Sequence, residues 1–382
     1  MLIDLGVSNK YFLNNIQEKN FYLRRGAVNA EAFTLADIDN ILGTIEPEAP
    51  SVNLHNGAFI PESEYIFTYN EVGKPRKTIV KPKFYKLMQD GATLILNRVQ
   101  RSSLYIDSLC KEISGVVSQE TLGNGYLAFN PQAAFGNHWD CHDVFAIQLV
   151  GRKRWKIYPS TFELPMPGQT SKEFKSECSE VPILDTVLEA GDLLYVPRGW
   201  WHSAVAIGEP TFHVAIGVHT THISTYVEWV CNKFLEKHIE CRKRIGFSDD
   251  DFPNLELAFD KVRQEIINEE NFNAFKQTII SSNRTSTRFD VNANVFGRGD
   301  DICTSARFNL SSNYSSVSDG VCVVNGVKVP ANSLEWKVIK LLSTQNGLSI
   351  DELSTQLRIP SDPMKKIVTS LAFHDVLYRI SA

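Results

Sequence analysis

The chain has 382 residues, of which 43% are hydrophobic and 22% are charged, a composition typical of a folded globular protein with two or three domains. This excludes a disordered chain, a collagen-like chain and a small disulfide-stabilised scaffold. The formal net charge of −5 provides no overall field that would draw the chain to nucleic acid or to an anionic membrane.

The N-terminus and the cysteines predict a cytoplasmic location. The first residues, MLIDLGVSNKYF, lack the basic and apolar regions of a signal peptide. No run of about 18 apolar residues occurs, so we expect no membrane-spanning helix. The seven cysteines are scattered without any C-x-x-C spacing, which is typical of a reducing compartment and argues against structural zinc.

Residues 1–120 show the patterns of a mixed α and β segment. They predict a short strand within 18–27 that ends at a glycine turn, and a buried strand at Leu94 and Ile95. Two helices are predicted, Thr34–Leu42 and Pro82–Gln89, the second with proline at its first position.

From residue 121 to 220, short β-like runs are separated by Gly and Pro. The predicted strands are Gly125–Phe129, Asp143–Val150, Arg154–Tyr158, Asp192–Val196 and Ser203–Ile207. Short strands punctuated in this way predict an antiparallel barrel or jelly roll.

Residues 223–281 have a helical period. One face of the first helix carries Val227, Val230 and Phe234, and a second helix is predicted after Pro253. Such an apolar stripe must be buried, either as a cap packed on the barrel or against a second copy of the chain. Residues 281–320 are predicted to be irregular or weakly stranded.

The C-terminal residues predict three short helices and a strand. One helix begins at Leu334, a second is opened by the capping box Ser349–Glu352, and a third by Asp362–Pro363 as N-cap and first helical residue. Leu377–Ile380 is the predicted strand. This order predicts a winged helix. Because residues 333–382 carry six basic and five acidic side chains, we expect a protein-contact or packing module and no direct DNA binding.

The segment around His138 has the residue types of a metal site. His138 and Asp140 are two residues apart, so on a strand they leave the same face. With His202 they form two histidines and a carboxylate, the facial set of non-haem Fe(II) oxygenases, which leaves positions open for a bidentate cosubstrate and O₂. A lone H-x-D pair is often only a packing feature. His142 and Asp143 lie close by, so the choice of ligands stays open.

Lys153 shares the parity of Trp155 and Ile157 in the predicted strand, which points it inward. A buried ammonium needs an anion, either a protein carboxylate or a bound carboxylate ligand. Parity alone equally allows a lysine that extends from the barrel rim into solvent.

Two long motifs, within residues 138–155 and 191–202, resemble the JmjC/cupin Fe(II)- and 2-oxoglutarate-dependent oxygenases and are most similar to their ribosomal-oxygenase branch. The resemblance implies an α+β chain with a double-stranded β-helix (jelly-roll cupin) catalytic domain at 1–222. It also implies a helical dimerisation region at 223–285, and hence a homodimer, and a winged-helix-like domain at 286–382.

The resemblance also implies the site residues. The family's iron ligands fall on His138, Asp140 and His202, and its basic residue for the C5 carboxylate of 2-oxoglutarate falls on Lys153. Lysine at this place resembles the histidine-hydroxylating members. The chemistry belongs to the metal centre, so no acid–base residue is required.

Three further residues enter through the same resemblance. Asn124 and Tyr126 match the Asn-x-Tyr pair that helps to hold 2-oxoglutarate. His213 lies on the strand after His202, and its role is left open.

The implied activity is hydroxylation of an amino-acid side chain in a protein, with a ribosomal protein as one candidate. An alternative is hydroxylation of a small peptide or metabolite by the same chemistry. Another is a metal-binding cupin scaffold without catalysis. Demethylation of methyl-lysine is disfavoured because no aromatic cage is evident in the sequence.

Overall fold

The computed structural model describes residues 2–47, 50–130, 135–245, 252–282, 287, 289–291, 294–295, 302–312, 320–345 and 347–381. The chain divides into two compact units, residues 1–220 and 221–382. The predicted boundary at 285/286 lies outside the described residues. No helix in the described part of the chain is long and apolar enough to cross a membrane.

The first unit is built mainly from antiparallel strands. The strands are β1 Tyr22–Arg24, β2 Val52–His55, β3 Ile66–Glu71, β4 Lys74–Ile79, β5 Thr93–Leu96, β6 Glu120–Ala128, β7 Asp143–Val150, β8 Lys153–Tyr158, β9 Leu184–Leu188, β10 Leu193–Val196, β11 Trp201–Ala206 and β12 Thr211–His219. The helices are α1 Asn9–Asn15, α2 Leu35–Thr44, α3 Lys81–Gln89 and α4 Leu104–Val117.

Two facing sheets form the barrel. The larger has the order β1-β10-β7-β12-β6-β5-β2 and the smaller has the order β11-β8-β9. Side chains from both sheets share one buried cluster: Val144, Ala146, Trp155, Ile157, Leu188, Leu194 and Val196. Since alternate residues of a strand face opposite sides, these positions define the barrel interior.

The outer face of the larger sheet is covered by helices. The alternate residues Phe145, Ile147 and Leu149 of β7 join the main core with residues of α1, α2 and α4. Both faces of β7 are therefore buried, which explains why its sequence is a nearly continuous apolar run.

The second unit contains helices and three small sets of strands. Its elements are α5 Ile223–Phe234, α6 Ile239–Arg242, α7 Phe252–Ile266, α8 Glu269–Ser282, β13 Arg307–Leu310, β14 Val321–Val324, β15 Val327–Pro330, α9 Leu334–Leu342, β16 Leu348–Ser349, α10 Ile350–Leu357, α11 Ser361–Phe373 and β17 Leu377–Ser381. The strands pair as β16-β13-β17 and β14-β15. α9, α10 and α11 share one core with the strands that accompany them.

The capping box Ser349–Glu352 is confirmed, with both of its hydrogen bonds present. The predicted start of the third helix is wrong by two residues. That helix begins at Ser361 and has Pro360 as its N-cap. Pro363 is therefore the third helical residue. An N–H at this position has no acceptor within the helix, so its absence in proline costs no hydrogen bond.

Other differences concern strand ends and missed helices. The strand predicted at Gly125–Phe129 begins five residues earlier and ends at Ala128. The strand predicted within 18–27 is only the three residues of β1. Helices α1 and α4 were not predicted.

Candidate metal centre and carboxylate pocket

The structure brings His138, Asp140 and His202 together. One ligand atom from each lies within 4.8 Å of the others. His138 does not lie on a regular strand. Instead it forms an isolated pair with His202, in which the N–H of each donates to the carbonyl of the other, at 3.1 and 2.8 Å. The main chain thus fixes two of the three positions.

Backbone carbonyls orient both imidazoles. Nδ1 of His138 lies 3.1 Å from the carbonyl of Gly136, and Nδ1 of His202 lies 3.0 Å from that of Trp200. A carbonyl only accepts, so in each ring the proton belongs on Nδ1 and the lone pair on Nε2. Nε2 of His202 lies 3.5 Å from Oδ2 of Asp140.

The protonation states also suit a metal. Burial lowers the pKa of His202, so its imidazole is neutral near pH 7. Burial alone would raise the pKa of Asp140, but His202 and His138 outweigh it and keep that pKa below its usual value. Two imidazoles that each present Nε2 and one carboxylate fit an ion such as Fe(II), and they leave coordination positions free.

Asp143 and His142, which lie next to Asp140 in the sequence, make contacts with other parts of the protein. Asp143 is fully buried and accepts hydrogen bonds from the N–H of Arg198 at 3.0 Å and the hydroxyl of Tyr195 at 2.9 Å. His142 packs against Gly217, where an added Cβ would lie 2.6 Å from its ring. This geometry favours Asp140 over its neighbours as the carboxylate ligand.

Lys153 is buried inside the barrel with 5% of its surface exposed. Burial lowers its pKa to about 7. Its Nζ lies 3.3 Å from Nδ1 of His213, and among the described residues no carboxylate forms an ion pair with it. The inward orientation predicted from parity is confirmed, and the ammonium lacks a protein anion.

Aromatic rings connect this lysine to the metal ligands. His213 lies opposite Tyr126 on adjacent strands, and their rings stack at 4.9 Å. Trp155 contacts His213 edge-on at 5.3 Å and stacks on His202 at 6.1 Å. Burial raises the pKa of Tyr126, so its hydroxyl remains a hydrogen-bond donor.

Asn124 lies two residues before Tyr126 on β6, and its Oδ1 accepts a hydrogen bond from the N–H of Arg98 at 3.1 Å. The side-chain oxygen of Asn124 thus ties β6 to the segment after β5. The side chain of Asn124 also forms a hydrogen bond with the hydroxyl of Tyr126.

Gln148 is a fully buried residue that sequence reasoning did not assign to the site. Its amide nitrogen donates to the carbonyl of Val150 at 2.8 Å and to Oγ1 of Thr211 at 2.7 Å. The register of β12 against β7 shifts between Phe212 and His213 at this point. The hydrogen bonds of Gln148 therefore stabilise the register shift that positions His213. The signal for this in the sequence was that Gln148 occupies an inward-facing position of the strand.

The turn before His202 should tolerate little change. Gly199 has φ +80°, and an added Cβ would lie 2.2 Å from the carbonyl oxygen of Phe162, whereas Gly208 has φ +88° with open space around it. Gly208→Ala is expected to cost about 1 kcal/mol of unfolding free energy for the left-handed conformation. Gly199→Ala is expected to cost about 1–3 kcal/mol more through overpacking. Urea unfolding of both variants measures the difference, and equal costs would contradict the clash.

Comparison with known proteins finds a family model that matches the part of the chain containing this site. Residues 97–226 match the model of the JmjC domain. The matched stretch contains His138, Asp140, Lys153 and His202. The match covers 130 of the 382 residues, and the predicted resemblance is confirmed.

Particular relatives share this region. The chain is 29% identical over 226 residues to ribosomal oxygenase 1 of Gallus gallus, an alignment that covers 58% of this chain and 35% of that protein. It is 26% identical over 210 residues to the bifunctional lysine-specific demethylase and histidyl-hydroxylase NO66 of Culex quinquefasciatus, covering 53% and 32%. The matches span about a third of the length of these relatives.

Among solved structures, the ribosomal oxygenase YcfD from Escherichia coli in complex with cobalt and succinic acid has a TM-score of 0.60 and 15% identity, over 99% of this chain and 100% of that one. The same protein in complex with cobalt and 2-oxoglutarate gives a TM-score of 0.58 at 17% identity, with the same coverage of both chains. The jelly-roll fold with accompanying helices is therefore shared.

Proposed function

We propose that the first unit is an Fe(II)- and 2-oxoglutarate-dependent oxygenase that hydroxylates an amino-acid side chain in a protein. The observation that carries the proposal is a pair of neighbouring features. Three metal-ligating atoms converge inside the barrel, and a buried lysine with no anionic partner in the described part of the chain lies on the same inner face. A 2-oxo diacid needs both, since one end chelates the metal and the other end requires a cation.

In this proposal His138, Asp140 and His202 hold the iron. When bound, the metal with 2-oxoglutarate would supply the oxidising chemistry that converts O₂ and a C–H bond into a hydroxyl group, with succinate and CO₂ as coproducts. Lys153 pairs with the far carboxylate, and the hydroxyl of Tyr126 donates a hydrogen bond to it. The buried rings around them exclude water from the pocket.

Two features support a protein side chain as the target. The similar proteins are named ribosomal oxygenase 1 and bifunctional lysine-specific demethylase and histidyl-hydroxylase NO66, and all of these names refer to protein substrates or ribosomes. The basic residue of the pocket is lysine, which resembles the histidine-hydroxylating members of the family. We therefore propose a histidine in a ribosomal protein as the first target to test.

The test compares intact masses of ribosomal proteins from the native host with and without this gene. One added oxygen on one protein, absent in the deletion strain, is the expected result. Identical masses would remove ribosomal proteins as substrates. Succinate production with peptides and metabolites would then separate the small-molecule alternative from a scaffold without turnover.

We also propose that the chain forms a homodimer through α7. Phe252, Leu255 and Phe259 lie along one stripe of this helix, and each exposes 60% or more of its surface. α7 also packs against α5, α6 and α8 of the second unit. Exposed aromatic and leucine side chains in such a row are typical of an interface.

Phe259→Asp is expected to convert the dimer to a monomer, because a carboxylate would be buried without a partner in the interface. Multi-angle light scattering after gel filtration measures the mass. Leu257→Asp is the matched control, since Leu257 is 53% exposed but lies off the stripe. A monomeric wild-type chain, or dissociation by both variants alike, would argue against this interface.

For the C-terminal elements we propose a winged-helix-like protein-contact module. α9, α10 and α11 with the sheet β16-β13-β17 supply the parts that such a module needs. Near-balanced charge argues against direct DNA binding.

A further inference from the structure

A buried histidine that belongs to neither proposed site faces the same barrel interior. His55 ends β2, the edge strand of the larger sheet. Leu54 packs in the core on the outer face, so His55 and Asn53 point to the inner face. The same inner face continues across β5 to β6, because Asn53 lies opposite Ile95 and Ile95 lies opposite Tyr126.

One nitrogen of His55 has no hydrogen-bond partner among the described residues. The residue is only 6% exposed, yet its Nδ1 contacts no donor or acceptor among the described residues. Buried polar atoms in folded proteins nearly always have a partner. An unsatisfied atom on the inner face of a site is therefore suited to a group that arrives with a ligand.

Aromatic rings connect His55 to the proposed metal site. The ring of Phe135 lies 4.5 Å from His55, 5.8 Å from His138 and 6.3 Å from Tyr126. Phe59 contacts His55 edge-on at 5.1 Å and is 62% exposed, so the group is open to solvent at that end. A substrate side chain that entered past Phe59 would reach Phe135 and then the metal.

We propose that His55 is a substrate-recognition residue. Together with Phe59 and Phe135 it forms a pocket for an uncharged planar side chain, an imidazole or a carboxamide. The ligand's ring or amide plane stacks on the aromatic rings, and its polar group makes the hydrogen bond that Nδ1 of His55 lacks. This inference deepens the proposed function and rests on it for the identity of the reaction.

The chemistry of the pocket disfavours cations. A quaternary ammonium group would contact the rings but would leave Nδ1 unsatisfied, since it has no N–H. A guanidinium could donate an N–H to Nδ1, but its charge would be buried without an anion, since no described carboxylate pairs with His55.

The first test measures binding without turnover. The protein is labelled with ¹⁵N-histidine and loaded with zinc, which is redox-inert, and 2-oxoglutarate. Its His55 signal is identified by its absence in His55→Phe. Propionamide is expected to shift this signal saturably, whereas methylguanidinium and tetramethylammonium leave it unchanged. An unmoved signal with propionamide, or a larger shift with either cation, would overturn the proposal.

The second test uses turnover of peptides that differ only at a central His, Asn, Arg or Leu. His55→Phe keeps a ring but removes the hydrogen bond, and is expected to lower kcat/KM for the His or Asn peptide roughly tenfold through KM. His219→Phe is the matched control at an exposed position. Unchanged kcat/KM in a folded His55→Phe variant would overturn the role. A shifted His55 signal without hydroxylation of any peptide would instead mean that the proposed function fails.

Discussion

Replacement of His202 by alanine is expected to abolish metal binding and turnover together. Its Nε2 lies 3.5 Å from the carboxylate of Asp140, and the ring is already in the tautomer that a metal requires. Mutations of groups that merely orient metal ligands cost about 10–100-fold in affinity or activity. Loss of a metal ligand should therefore lower metal affinity or activity by more than about 100-fold. Metal content and succinate formation are the two measurements.

The same variant should remain folded. The hydrogen bonds between residues 138 and 202 involve main-chain atoms, which alanine retains. Added metal is expected to raise the unfolding temperature of the wild type by mass action but not that of His202→Ala. The control is His219→Ala, an exposed histidine on β12. An equal stabilisation of His202→Ala by metal would refute the ligand assignment.

Lys153→Met is expected to weaken the binding of 2-oxoglutarate and to stabilise the ligand-free protein. Without the ammonium, the far carboxylate of 2-oxoglutarate would be buried unpaired, which costs about 2–5 kcal/mol. KM for 2-oxoglutarate is thus expected to rise about 30-fold or more. The ligand-free protein should become more stable, because methionine replaces a buried cation that has no protein anion.

The control for this variant is Lys156→Met. Lys156 lies on the same strand with the opposite parity, half-exposed beside Asp185 at 3.9 Å. KM for 2-oxoglutarate should be unchanged by that substitution. Steady-state kinetics and urea unfolding give the two readouts. A loss of both affinity and stability in Lys153→Met would show that the lysine has a structural partner instead.

The pH dependence of binding follows from the same lysine. Burial lowers the pKa of Lys153 to about 7, while the unfolded chain has the ordinary value of 10.5. The unfolded state therefore binds more protons between pH 7 and 10.5, and the ligand-free protein should gain stability as pH rises through this range. Affinity for 2-oxoglutarate should fall above pH 7, since binding requires the ammonium form. Calorimetry of the zinc-loaded protein at pH 6.5–8.5 measures the trend.

Local patterns in the sequence were sufficient for part of the site. The short β-like run Asp143–Val150 predicted a strand whose bounds the structure reproduces. The parity of Lys153 predicted its inward orientation. The two-residue spacing of His138 and Asp140 brought both to one place, although neither lies on a regular strand. Each of these inferences depends on neighbours within a few residues.

Contacts between distant segments could not be predicted in this way. Phe135 meets His55 across 80 residues of chain, and Tyr126 meets His213 only because β12 inserts between β6 and β7. No local period specifies that strand order. Helix α4 is a different case. Its buried residues Ile106, Ile113 and Val117 are spaced as a helix requires, so its signal was present in the sequence.

The reciprocal backbone hydrogen bonds between His138 and His202 have a consequence for which ion the site holds. Because main-chain hydrogen bonds fix the ligand positions in advance, little chain entropy is lost when an ion binds. The site also cannot change its geometry to exclude an ion of similar size. Discrimination among Fe(II), Co(II), Ni(II) and Zn(II) would then follow intrinsic affinities, which do not favour iron. The ion recovered with the protein is expected to follow the metals available during expression, and iron occupancy would depend on cellular supply.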